Sequence, residues 1–183
     1  MQAEWTVDML DALPEDGNRY EIIDGELFMT PSPMYPHQAV LAALLVRLRA
    51  YLRPSSIARA VMSPSDVRKG DHNKNRVQPD TFAVRLRNGK IPEFPFDMSE
   101  VLLAVEVESP SNKTYDYQTK RRLYLSNGVP EYWIVSPEAR TFTRFRSLDD
   151  PAELLTSRIE WQPEGMPSPL VIDLPEFFED AFG

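Results

Sequence analysis

The sequence predicts a mixed α/β domain with a central sheet covered on both faces. Three observations carry that prediction. Residues 101–107, "VLLAVEV", are apolar at nearly every position, as a strand buried on both faces requires. Leu41, Leu44, Leu45, Leu48 and Leu52 recur at helical spacing, which marks one covering layer. The inferred order of elements is helix, three strands, helix, strand, and such an order packs helices against a sheet.

Each element has a local cause. Thr6 is placed to cap a short helix over 6–13, with Pro14 just past its end. Residues 19–30 read as a β-hairpin closed by Asp24-Gly25, a strong two-residue turn signal. "PSPMYP" is loop, and a helix opens near His37 and stops at Pro54. Residues 57–68 form a strand, broken near Pro64, and "KGDHNKNR" is a polar turn. A second strand, "VQPDTFAVR" (77–85), is entered through Pro79. After the Pro-rich loop 88–100 comes the third strand, "VLLAVEVES" (101–109), then a helix over 114–127 with Gly128 at its C-terminal cap. "EYWIV" is a further strand, and weaker strands follow near 140–146, 153–161 and 169–173. The 183 residues suit a single domain, with a core over about 37–135, a hairpin at 19–30 and a C-terminal β extension over 140–175.

Composition narrows the function classes. There are no cysteines, so disulfides and thiolate metal sites are excluded. No apolar run approaches the ~18 residues of a membrane span. The acidic start lacks the pattern of a signal peptide, which leads us to expect a cytoplasmic protein. The net charge of −8 argues against a uniformly basic nucleic-acid surface. The distribution is uneven, however. Residues 41–90 hold eleven Lys/Arg and three acids, net +8, between flanks of −7 and −9. That centre reads either as a solvated helix face plus a loop or as a phosphate-facing surface.

The anomaly is Glu106 and Glu108 within the most apolar segment. Alternation puts both on one face, about 7 Å apart. Buried carboxylates repel and are costly to desolvate, so they call for a proton, a basic partner or a metal ion. If instead the strand surfaces early, both are simply wet. Asp80 leads into a strand that could neighbour this one, so Asp80 and Glu106 could meet at one cation. Such an oxygen-rich site without cysteine favours Mg²⁺, with Mn²⁺ possible. Lys120 follows Asp116 at i,i+4, which alone describes an exposed helix ion pair. Yet Lys120 shares its stripe with Tyr117, Leu123 and Tyr124, the packed side, and Lys113 and Arg121 compete for the same role. Asp, Glu and Lys around Mg²⁺ suit phosphodiester hydrolysis, because the metal acidifies water and the ammonium offsets phosphate charge.

"YEIIDGEL", His37 opening a helix, "QPD", "VEVESPSN", the Asp116/Lys120 pair and "GVPEYWIV" occur in this order. The chain thereby resembles the Uma-two family of restriction-endonuclease-like proteins, within the PD-(D/E)xK nuclease superfamily. The resemblance implies a core of helix, three-stranded antiparallel sheet, helix and strand. It also implies metal-binding roles for Asp80 and Glu106. The superfamily pattern places lysine at position 108, where this chain has Glu108. The resemblance implies that Lys120 replaces that lysine, with Glu108 as a further metal ligand and Asp116 as an accessory group. Glu21 reads either as a residue near the metal or, more commonly, as an exposed strand residue, and His37 either as a phosphate or site contact or, more commonly, as a packing or capping residue.

The expected function is Mg²⁺-dependent endonuclease cleavage of DNA by a homodimer without membrane attachment. The alternatives are a catalytically inactive relative serving as a binding module and a hydrolase of small phosphate esters. The acidic aromatic end "LPEFFEDAFG" favours the binding module, as a protein contact.

Overall fold

Seven consecutive buried residues, Val101–Val107, form the middle of the structure. The computed structural model describes residues 4–14, 16, 18–30, 34–70, 73–109 and 113–183. In chain order it contains α1 (Val7–Asp11), β1 (Arg19–Ile23), β2 (Glu26–Thr30), α2 (Tyr35–Leu52), β3 (Ala58–Met62), β4 (Val67–Arg68), β5 (Arg76–Val77), β6 (Thr81–Arg85) and β7 (Phe96–Asp97). There follow β8 (Val101–Val107), a π turn (Tyr115–Lys120) running into α3 (Arg121–Ser126), β9 (Tyr132–Ser136), β10 (Thr141–Phe145), β11 (Glu153–Leu155), β12 (Arg158–Trp161), β13 (Leu170–Asp173) and α4 (Leu174–Phe182).

The central sheet has the order β11-β10-β9-β8-β6-β3. Strands β3, β6 and β8 pair antiparallel, as expected for the three-stranded core. Strand β9 joins β8 in parallel, and parallel neighbours need a crossover, here the π turn and α3. Alternation along β8 separates two cores. Leu103, Val105 and Val107 face α2, where Leu41, Leu44, Leu48 and Leu52 make the apolar stripe. Ala104 lies on the other face, with Leu123 and Tyr124 of α3. Glu106 shares the phase of Ala104, so its carboxylate is sent toward the crossover helix.

The hairpin 19–30 does not extend that sheet. It belongs to a second sheet, β2-β1-β5-β4-β7, whose last three strands have two residues each. Its turn has Asp24 and Gly25 both at positive φ, the arrangement a type I′ hairpin requires. Four expectations need correction. The helix opens at Tyr35, two residues before His37, because Pro36 fits the first turn, where its missing N–H costs nothing. The helix expected over 114–127 begins as a π turn. The strand expected over 153–161 is two strands in different sheets. Part of the "PSPMYP" loop, the polar turn and the "SPSN" stretch lies outside the described residues.

The fourth correction concerns the C-terminus. "LPEFFEDAF" is α4, capped by Asp173, whose side chain accepts from Glu176 N–H at 3.0 Å. Leu174, Phe177 and Phe178 are fully buried against α2 and Phe142. These aromatics complete the molecule's own core and are not a surface for a partner. Phe177→Ala should therefore destabilise the protein by about 3–5 kcal/mol, the usual cost of emptying a buried aromatic site. Urea denaturation checks this, and a loss below about 1 kcal/mol would contradict a core role for α4.

Candidate active site

The site assembles where the two sheets and the crossover helix meet. Thr81 pairs with Val105 between β6 and β8, so Asp80, one residue before, lies across from Glu106. Strand β1 brings Arg19 and Glu21 on one face, two residues apart. Helix α2 brings His37 in its first turn, and the π turn brings Asp116 and Lys120. Every carboxylate and the ammonium in this set is buried, with Glu21 at 0%, Glu106 at 2% and Lys120 at 1% exposure.

Lys120 is the hub. Its Nζ donates to Glu106 Oε1 at 2.8 Å, pairs with Glu21 Oε2 at 3.0 Å and lies 4.0 Å from Asp116 Oδ1. The Tyr115 ring stands 5.3 Å from the ammonium, a cation–π distance. Glu106 Oε1 also accepts from Tyr124 Oη at 3.0 Å. Glu21 accepts from Gln78 N–H at 2.7 Å and from Tyr115 Oη at 3.3 Å. Asp80 is held from three sides. Its Oδ1 accepts from Arg19 Nη1, while its Oδ2 meets His37 Nε2 and the Val107 N–H, each at 2.9 Å.

The charges do not balance locally. Four carboxylates share Lys120 and Arg19, with His37 beside Asp80. Burial pushes Asp116 up to about 7 against the pull of Lys120, and Asp80 and Glu21 add to the rise. Burial likewise raises Glu106 well above the usual carboxylate range, with Lys120 opposing. Asp80 goes the other way. Burial works to raise it, but the His37 hydrogen bond and the nearby His37, Arg19 and Lys120 outweigh that and hold it below the ordinary range. Burial would weaken the Lys120 ammonium, but Glu106, Glu21 and Asp116 more than compensate and keep it charged.

Glu108 stands apart from the other residues of the sequence reading. It follows the last residue of β8, where its N–H still donates to Val135 O. Its carboxylate faces Lys113 at 3.8 Å and Tyr117, not Lys120. Glu106 and Glu108 therefore do not form one acidic pair, because the strand ends between them. Part of the basic centre is engaged within the chain. Arg47 pairs with Asp180, Arg59 donates to the carbonyls of Leu52, Ser55 and Ala58, and Arg76 pairs with Asp11. Arg49, Arg53, Lys69, Arg85 and Lys90 are exposed.

Three contributors escape the sequence reading: Arg19, Tyr115 and Tyr124. Arg19 carried a signal, as the only basic residue within an acidic N-terminal stretch, two positions from Glu21. Tyr124 lies on the Lys120 stripe. Tyr115 had none, since its approach to Lys120 depends on the wider π turn.

Comparisons with known proteins agree with this architecture. A crystal structure described as "a putative nuclease belonging to DUF820" from Anabaena variabilis ATCC 29413 superposes with a TM-score of 0.77. The two share 21% identity over 96% of this chain and 98% of that one, a likeness that establishes a restriction-endonuclease-like fold. Nothing among curated proteins matches. The model of the Uma2 family, described as "Putative restriction endonuclease", matches residues 7–181. With that match across nearly its whole length, the chain belongs to the Uma2 family of nuclease-like proteins.

Proposed function

We propose that this protein is a Mg²⁺-dependent endonuclease that hydrolyses phosphodiester bonds in DNA, with Asp80 and Glu106 as metal-binding acids and Lys120 as the site cation. One observation carries the reading: a fully buried lysine is clamped between Glu106 and Glu21, beside an Asp80 whose strand neighbours that of Glu106. A lysine needed only for stability would more commonly be apolar at such a position, since a buried ion pair is often no better than hydrophobic packing.

The donor set fits the ion. The acids offer only oxygen, and the cluster carries more carboxylates than cations. Among the described residues no three His, Cys, Asp or Glu side chains are grouped as around a metal ion. Mg²⁺ does not need such a cage, since it keeps several waters and takes one or two carboxylates plus substrate oxygens. Bound between Asp80 and Glu106, it would supply an acidified water and polarise the phosphoryl oxygen. The rest belongs to the chain. Val107 N–H and His37 orient Asp80, Tyr124 and Lys120 orient Glu106, and the Lys120 charge offsets negative charge that builds on the phosphate. Glu21 and Asp116 keep Lys120 protonated. Glu108, at the strand's mouth, is a candidate outer ligand.

A homodimer suits the cutting of two strands, one site to each. No helix among the described residues is long and apolar enough to cross a membrane. One observation favours the catalytically inactive alternative: Arg47, Arg59 and Arg76 are committed to internal partners, which weakens the electrostatic hold on DNA.

Plasmid nicking with Mg²⁺ or Mn²⁺ decides between them. Asp80→Asn, Glu106→Gln and Lys120→Met should each lower the rate by about 10²-fold or more, with fold retained by circular dichroism. Activity that survives all three changes removes this mechanism, and a wild type inactive with either ion supports the binding module.

The surplus charge also makes stability depend on pH. Asp116 titrates near 7 when folded and near 3.8 when unfolded, so between those values the folded state binds more protons. Raising the pH through that window therefore costs folded-state stability through this group. Asp116→Asn removes that penalty. In metal-free urea titrations the variant should gain on wild type by roughly 2 kcal/mol between pH 5 and pH 8. A difference that is flat with pH would show that Asp116 is not held in a surplus of negative charge.

A further inference from the structure

The two cations of the site are held differently. Lys120 is enclosed, at 1% side-chain exposure, and contacts three carboxylates. Arg19 lies at the rim with a side chain 22% exposed. Its Nη1 spans Asp80 Oδ1 at 2.9 Å and Ser63 Oγ at 3.4 Å. Its Nε is buried and, among the described residues, meets no acceptor. The guanidinium is thus anchored through one nitrogen while another remains unsatisfied.

The two oxygens of Asp80 also differ. Oδ2 accepts from both His37 Nε2 and Val107 N–H, which uses the two lone pairs a carboxylate oxygen offers. Among the described residues, Oδ1 accepts only from Arg19. A cation approaching Asp80 from outside therefore meets Oδ1 and, with it, the positive charge of Arg19. A divalent ion and a guanidinium on the same oxygen repel strongly in a site this dry.

We infer that Arg19 is a displaceable counter-cation of Asp80: it holds the carboxylate in the metal-free protein and competes with a divalent ion for Oδ1. This rests on the proposed metal role of Asp80. The competition makes the metal-free site stable despite its acids, and it sets metal affinity below what the carboxylates alone would give. Once displaced, the Arg19 guanidinium stands at the rim beside the metal, free to pair with a phosphate oxygen of the bound strand. Arg19 is a positioning residue in the metal-free state, and its chemistry changes only when the ion arrives.

The test is Mn²⁺ titration by calorimetry on the full chain, alongside melting with and without Mn²⁺. Arg19→Gln keeps a donor but removes the charge, Arg19→Lys keeps the charge, and Asp80→Ala removes the ligand. Arg19→Gln should bind Mn²⁺ about tenfold or more tightly than wild type, and its melting temperature in chelator should be lower. Arg19→Lys should bind like wild type. Arg19→Gln binding equal to or weaker than wild type, with Asp80→Ala still abolishing it, overturns the competition and leaves Asp80 as a metal ligand. Mn²⁺ binding that survives Asp80→Ala overturns both readings, as does a wild type and Arg19→Gln that bind none. Should Arg19→Gln not fold, Arg19→Met serves in its place. Should neither fold, the proposal falls, because a displaceable partner cannot be indispensable to the fold.

Discussion

An ammonium ion in the interior decides how this molecule is built. Lys120 is almost completely shielded from water, and a lone charge there would be expelled or neutralised. It stays because Glu106 and Glu21, on two different sheets, reach it at 2.8 and 3.0 Å. Those acids are tolerable for the same reason. The lysine therefore links the central sheet, the hairpin sheet and the crossover helix through one set of contacts. Removing the lysine leaves both acids buried without it, at a cost that exceeds the modest net gain of the intact pairs.

That hub needs a particular backbone. An ordinary helical turn would carry Asp116 and Lys120 along one face, but Tyr115 would drift away from it. The π turn Tyr115–Lys120 widens the spiral, so the Tyr115 ring and hydroxyl reach Lys120 and Glu21 together. Tyr132 on β9 fixes the turn from below, donating to the Asp116 carbonyl at 3.2 Å. Such irregular turns cost backbone hydrogen bonding, and here the cost coincides with the residues that hold the lysine.

The same physics explains what the sequence could and could not disclose. Glu106 was legible because a carboxylate within "LLAVEV" has no apolar rationale, and Lys120 because it shares a stripe with Leu123 and Tyr124. The antiparallel pairing of the three strands came with the family resemblance, and the order helix, three strands, helix, strand followed from periodicity and turn signals. The second sheet did not, since Val67–Arg68, Arg76–Val77 and Phe96–Asp97 are too short to show any period. Helix α4 was readable in principle. Asp173 and Glu176 mark a helix start, and Phe177, Phe178 and Ala181 fall on one face. Its aromatics look like a sticky surface only when the facing stripe of α2 is unknown. Arg19 stayed hidden because its partner Asp80 is 61 residues away and no local pattern joins them.

The placement of the cation on a helix follows from where β8 ends. Position 108 lies past the strand, at an edge where Glu108 faces Lys113, whose side chain is 69% exposed. Glu108 is itself largely enclosed, with a side chain 11% exposed, and its carboxylate meets Lys113 and Tyr117. Lys120 comes from the opposite wall, with its stem packed near Tyr115 and its charge fixed by acids on two sheets. On the proposed role, the ammonium would lose little further freedom when a phosphate arrives, because the fold has already ordered it. Preorganised charge of this kind stabilises a reacting phosphate better than a mobile one does, since no dipoles must reorient at the moment of reaction. The requirement is a position in space, and a helix beside the sheet satisfies it as well as the strand itself.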